Sequence, residues 1–336
     1  MASEAGALAP PISHPRRASI SSWPLVDRIG FLLCWLTGIG LCLIAGGIVL
    51  YMLFKGVAYL QLSQFVTSPS PSLHQTQSGG FSDPILGTLL VTAIGIALAA
   101  PVGVALAAWL SEYARPAWLA RAVESGIEMV AGVPSVVLAI FGLLIFSQGF
   151  LGFLSSKAFN GTVTGQSFLT AGAVMSVLAL PLVVASTREA LAQLPDRMRE
   201  ASYALGKTRA TTTRRVLLPA IRPSIASGVV LGMGRIIGDT AIITLILGAT
   251  LKNEGADSTP ILGTLRGTGS SLTSYVYNNS PAGEGNSHEK AYAAAFVLLM
   301  IVLGLNALVT RLTNGRAGDR RRSWWTHLGA LVPWTR

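Results

Sequence analysis

Charge is scarce in this sequence. Asp, Glu, Lys and Arg together make up 12% of the 336 residues, against roughly 25% in an ordinary soluble domain. A water-soluble globular chain of this length is therefore excluded. Histidine is scarce too: His14, His74, His288 and His327 are all of it, and none lies in a long apolar run. An intramembrane protease or lipid-modifying enzyme would need a Ser–His, paired-Asp or His-metal set inside those runs, so that class is excluded. The two cysteines, Cys34 and Cys42, lie eight apart in one apolar run. They are read as core fillers and not as a disulfide. No phosphate-binding loop for a nucleotide is present. Gly206-Lys207-Thr208 resembles the end of one, but the required earlier glycine is replaced by Ala201. No cleavable leader is expected either, because Met1 to Ser22 is polar, with Arg16 and Arg17.

Apolar runs are what the chain has instead: 51% of it is hydrophobic. A spanning helix needs about 20 apolar residues. Six stretches qualify: Ile29–Leu53, Pro84–Leu110, Met129–Phe153, Gly165–Thr187, Pro223–Thr250 and Ala291–Thr310. Between them the basic residues alternate. The segments before the first span, between the second and third, at 188–222, and after the sixth hold 19 Lys and Arg, against 5 in the alternate segments. Basic residues mark the cytoplasmic side. The expected fold class is thus an all-α membrane protein of six transmembrane helices with both termini cytoplasmic. The net charge of +10 reflects this topology, and no nucleic-acid partner is expected. Three parts are expected: a disordered cytoplasmic tail (1–28), a permease domain (29–310) and a basic tail (311–336). In that last tail Arg320–Arg322 precede Trp324 and Trp325, a pattern that suits the headgroup region of the lipid bilayer.

The 188–222 loop predicts two short helices, Arg197–Leu205 after Pro195 and Lys207–Leu218 before Pro219, with Gly206 between them. Neither is long enough to be stable alone in water, so the pair needs a docking surface. Within it Glu200-Ala201-Ser202 precedes Gly206, then nine residues, then Val216-Leu217-Leu218-Pro219. This resembles the EAA loop of bacterial ABC importer permeases, with Ser202 for Ala and Val216 for Ile. The resemblance implies a type I ABC importer permease fold in which Glu200, Ala201, Ser202, Gly206, Leu218 and Pro219 form the coupling loop to an ATPase subunit. ATP and Mg would bind that partner, and this chain would hold no cofactor or metal.

Further segments narrow the likeness. They are Gly87-Thr88-Leu89, Ser111–Ala114, Ala131–Val137, Thr187–Leu191 and Gly234-Arg235-Ile236-Ile237-Gly238-Asp239-Thr240-Ala241. Together they resemble the phosphate-specific permease pair, the PstA-type member more than the PstC-type. That likeness implies a second permease subunit (PstC-type), a homodimeric ATPase (PstB-type) and an extracytoplasmic phosphate-binding protein (PstS-type). The family more often has Glu at the place of Asp239. A permease for molybdate or sulfate, or a stand-alone channel, stays open as an alternative.

Arg235 would lie about 18 Å into the fifth span, where a charge is costly and a functional candidate. Asp239, four residues on, shares its helix face and can pair with it. A structural ion pair and a phosphate pathway through Arg235, Asp239, Thr240 and Arg188 are both consistent with this. Gly228/Gly232 and Gly234/Gly238 are small-xxx-small pairs that predict close helix packing. Pro101, Pro134 and Pro181 can kink their helices. The 251–290 loop, polar and Gly-rich, is read as a contact surface for a soluble receptor.

Overall fold

A computed structural model describes residues 24–57, 59–60, 62–69, 80–155, 158–159, 162–163, 165–248, 264–280 and 288–329. Of the tail expected to be disordered (1–28), residues 1–23 lie outside the described residues and those from Leu25 are helical; 249–263 and 281–287 also lie outside the described residues. Among the described residues the chain is helical, apart from the two-residue strands β1 (Ala158–Phe159) and β2 (Thr162–Val163), paired antiparallel with Ala158 opposite Val163. The helices are α1 (Leu25–Val57), α2 (Ser82–Glu112), α3 (Ala117–Gly132), α4 (Ser135–Phe146), α5 (Phe168–Ala192) and α6 (Asp196–Ala204). They continue with α7 (Arg209–Thr212), α8 (Leu218–Ala220), α9 (Arg222–Gly238), α10 (Ala241–Leu247), α11 (Leu272–Asn279) and α12 (His288–Gly329).

Residues up to Tyr51 form one unit and those from Met52 a second. In the first, α1 exposes apolar side chains all along its length, among them Leu36, Leu41 and Leu43. Cys34 and Cys42 are exposed and free. They are therefore not core fillers. Eight residues of helix set them about 12 Å apart, too far for a disulfide.

In the second unit α5 is the central helix, packed on α2, α3, α4, α9 and α10. A capping box starts it: Thr170 N donates to Ser167 Oγ (3.3 Å) and Ser167 N to Thr170 Oγ1 (3.0 Å). Val91, Phe168, Met175, Ile236, Ile243 and Ile246 meet in the main core. Lipid tails are as apolar as these side chains, so close van der Waals fit holds the helices together, with little hydrophobic drive.

Four helices are long and apolar enough to cross a membrane, or up to six if two bent pairs each count as one. The two bent pairs are Ala117–Gly132 with Ser135–Phe146 (104°) and Arg209–Ala220 with Arg222–Gly238 (71°). Two of the six expected spans are not single helices. The stretch read as one span from Met129 to Phe153 is broken, with α3 and α4 meeting at 104°. Pro134 is the cause: it forces the residue before it out of the helical region, and Val133 is extended (φ −72°, ψ 129°). Pro101 and Pro181, by contrast, sit inside the continuous α2 and α5. The fifth stretch, read as Pro223–Thr250, divides at Asp239–Thr240 into α9 and α10.

The 251–290 segment also departs from expectation. Residues 264–280 are largely buried, not a solvent-facing loop. Leu272 N donates to Thr88 Oγ1 of α2 (2.9 Å), and Tyr275 packs edge-on against Phe81 with ring centroids 5.6 Å apart. A Cβ on Gly87 would collide with the Ser270 carbonyl, which explains a glycine there. The α12 backbone runs on to Gly329; the anchor read from Trp324 and Trp325 rests on side chains outside the described residues.

Candidate functional site

The 188–222 segment folds as two short limbs. The first, α6, follows Pro195 and ends at Ala204. Its end is closed by Gly206, at φ +71°, a left-handed conformation that costs glycine little. Gly206 N donates to Tyr203 O (2.9 Å) and Lys207 N to Ser202 O (3.2 Å). This double bond pattern satisfies carbonyls the helix end would leave open. The second limb runs through α7, a π-helical turn over Thr213–Leu217, and α8, which holds Leu218 and Pro219. Both predicted helices are present, each shifted by one or two residues. Glu200 and Ala201 are exposed, whereas Ser202 is buried and its hydroxyl lies 2.8 Å from Thr212 Oγ1. One face of α6 is therefore bound to the other limb, and the opposite face is open.

Arg199 fastens this hairpin to the bundle. Its Nε and Nη2 donate to Glu112 Oε1 at the inner end of α2 (3.1 and 3.0 Å). Nη2 also reaches Leu191 O (3.1 Å), and Nη1 reaches Leu194 O (3.3 Å) and Asp196 Oδ1 (3.1 Å). The hydrogen bonds to Glu112 hold the Arg199 pKa above its ordinary value. From the second limb, Arg209 Nη1 donates to the Glu112 backbone carbonyl (3.0 Å) and its guanidinium lies 5.9 Å from the Tyr113 ring centroid. Sequence reasoning reads Glu112 as an interfacial residue at the inner end of the second span and gives Arg199 no role. Their separation of 87 residues leaves no local pattern to find.

At the other candidate site, Arg235 is exposed in the last turn of α9, and Asp239 is buried just beyond it. The expected pair between them is not formed. Asp239 is extended (φ −86°, ψ 124°), and its Oδ1 accepts from Ile242 N at the start of α10 (3.0 Å). Asp competes with helical hydrogen bonding in this way, so the four-residue register that would join the two side chains is lost. Among the described residues Arg235 makes no ion pair. Thr240 precedes the first turn of α10, and its carbonyl accepts from Thr244 N (2.9 Å). Arg188 does not join them: it pairs with Glu124 of α3, and both side chains are partly exposed.

The four glycines of α9 also separate. A Cβ on Gly228 would lie 2.9 Å from Ser186 Cβ of α5, and one on Gly232 3.3 Å from Ala179 Cβ. Gly234 and Gly238 have nothing within 4 Å. Among the described residues only the first pair packs, because the two pairs lie on different sides of the helix.

Residues 99–315 match the family described as "Binding-protein-dependent transport system inner membrane component". The chain is similar to the "Phosphate transport system permease protein PstC" of Xylella fastidiosa (strain 9a5c), 29% identical over 269 residues, covering 76% of this chain and 78% of that protein. It is also similar to the "Phosphate transport system permease protein PstA 1" of Mycobacterium tuberculosis, 30% identical over 245 residues, covering 73% of each. Among solved structures, a chain of a bacterial alginate ABC transporter in complex with its alginate-bound periplasmic protein aligns with TM-score 0.56. That alignment covers 86% of this chain and 96% of the other, and at 18% identity it speaks for the fold. With its apolar helices and this match over most of its length, the chain belongs to the family of inner-membrane components of binding-protein-dependent transport systems.

Proposed function

We propose that this chain is one of two permease subunits of an ATP-driven phosphate importer. It lines a pathway with a second permease and couples it to a separate ATPase through the 188–222 hairpin. The observation that carries this is α6: a short helix closed by Gly206, held on one face by Ser202 and offering Glu200 and Ala201 on the other. Phosphate as the cargo is supported by relatives named as phosphate transport permeases. Most of the relatives with these names are PstC-named and one is PstA-named, at similar identity, so they give the PstA-type assignment no preference over the PstC-type. ATP and Mg belong to the partner ATPase, and an extracytoplasmic phosphate-binding protein delivers the anion. The basic-residue asymmetry supports a cytoplasmic hairpin and cytoplasmic termini.

Arg235 is the residue on which the pathway reading turns. Its guanidinium can grip two oxygens of one phosphate, and Gly234 and Gly238 leave its surroundings open. Asp239 acts by ending α9 and starting α10, which sets where Arg235 points; Thr240 belongs to the same break. Arg188, paired with Glu124, serves as a structural and topological anchor.

Phosphate uptake by vesicles holding the complete complex tests this, comparing wild type with Arg235→Gln and Glu200→Lys, with assembly checked in each. Arg235→Gln is expected to assemble and hydrolyse ATP but lose at least about 90% of uptake, a loss of one decade or roughly 1.4 kcal/mol. Glu200→Lys is expected to lose coupled uptake. Unimpaired uptake in the first variant removes Arg235 from the pathway; in the second it removes the coupling role of α6. Competition of uptake by molybdate or sulfate would assign the cargo to another oxyanion.

A further inference from the structure

The coupling helix is too small to pass on a push by itself. Nine residues of α6 make a helix with no stability of its own, joined to α5 only by the short link from Gln193 to Pro195. Something must stiffen that link if motion at Glu200 is to reach the membrane. Arg199 closes it directly, bonding Leu191 O and Leu194 O on the α5 side and Asp196 on the α6 side.

The same guanidinium then leaves the loop and grips Glu112 with two further N–H groups. Arg209 holds the backbone of that residue from the second limb. Both limbs of the hairpin thus converge on one residue at the inner end of α2. The contact is sheltered, with the Glu112 side chain 6% exposed and that of Arg199 19%. Exposed pairs contribute little, but removing one partner of a buried pair strands the other charge. The Arg188–Glu124 pair is about 40% exposed on each side and lacks this character. Only arginine fits the geometry, since its planar fork presents five donors in fixed directions.

We infer that Glu112 and Arg199 form a strut that makes α6 and the inner end of α2 move as one body. Displacement of the coupling helix then reaches the second span as well as α5. This rests on the coupling role of α6. Arg199 is a positioning residue, since it acts through Glu112 and touches no cargo.

The test uses the complete complex in vesicles. Spin labels on Ser111→Cys and Arg197→Cys, both at exposed positions, are placed in a chain with Cys34 and Cys42 replaced by Ser. In otherwise wild-type chain the distance between labels is expected to stay narrow and equal with and without ATP. Glu112→Gln is expected to broaden it and to lower phosphate moved per ATP hydrolysed about tenfold. Arg199→Lys, which keeps the charge but loses the fork, is expected to behave alike. A wild-type distance that changes on ATP by about one helical turn, roughly 5 Å, overturns the strut. So does an assembled Glu112→Gln complex with an unchanged ratio. If neither variant assembles with the ATPase, the pair serves folding alone and the inference fails. If the wild-type complex hydrolyses ATP but moves no phosphate, the cargo reading fails, and the label distances alone decide the strut.

Discussion

Ser202 stands where the loop pattern has a second alanine, and its buried hydroxyl meets the fully buried Thr212 at 2.8 Å. Replacing Ser202 by Ala restores the pattern but strands a buried hydroxyl, at a cost of about 1–3 kcal/mol. The expected outcome is a lower melting temperature of the purified complex for Ser202→Ala, with most of the loss recovered in Ser202→Ala/Thr212→Val. The conformation of Gly206 was legible in the sequence, because a glycine between two helical stretches has few other reasons to be there. The hydroxyl partner of Ser202 was not, since nothing local marks Thr212 among the neighbouring Thr208, Thr211 and Thr213. Asp239 shows the opposite failure. Its pairing with Arg235 followed from helical spacing, and that spacing holds only where the helix continues.

The helices of the second unit meet where glycine lets their backbones approach. In α9 the face bearing Gly228 and Gly232 lies on α5, and the face bearing Gly234 and Gly238 is open among the described residues. Gly228→Val would drive a side chain into Ser186 and Val183, and such overpacking costs about 1–3 kcal/mol. A Cβ on Gly234 meets nothing within 4 Å among the described residues. The isolated subunit in detergent is therefore expected to lose thermal stability with Gly228→Val and to keep it with Gly234→Val. The small-residue spacing of both pairs could be read from sequence, but which pair packs depends on the direction of α5. Pro134 was legible as a disturbance; that it turns the chain through 104° and leaves α4 only 12 residues long was not. At about 18 Å, α4 is shorter than the bilayer core, so the third stretch cannot cross as one straight helix.

At the scale of the whole molecule the six apolar stretches and the alternating basic segments define a topology that can be probed directly. In a chain without its native cysteines, Leu205→Cys is expected to react with a membrane-impermeant thiol reagent only from the cytoplasmic side. Tyr277→Cys, on the exposed side of α11, is expected to react only from outside. Reaction of both from one side would refute the alternation. The helical class, the number of apolar stretches and the two short limbs of the 188–222 segment followed from the sequence alone. Hydropathy, charge alternation and the glycine and proline stops are local, and a bilayer allows few ways to satisfy a backbone. What only the tertiary structure decided is non-local: the breaks at Val133–Pro134 and Asp239–Thr240, the burial of residues 264–280 against α2, and the grip of Arg199 and Arg209 on Glu112. Each joins residues far apart in the chain or cancels a local periodicity, and such choices are made by packing, after the helices have formed.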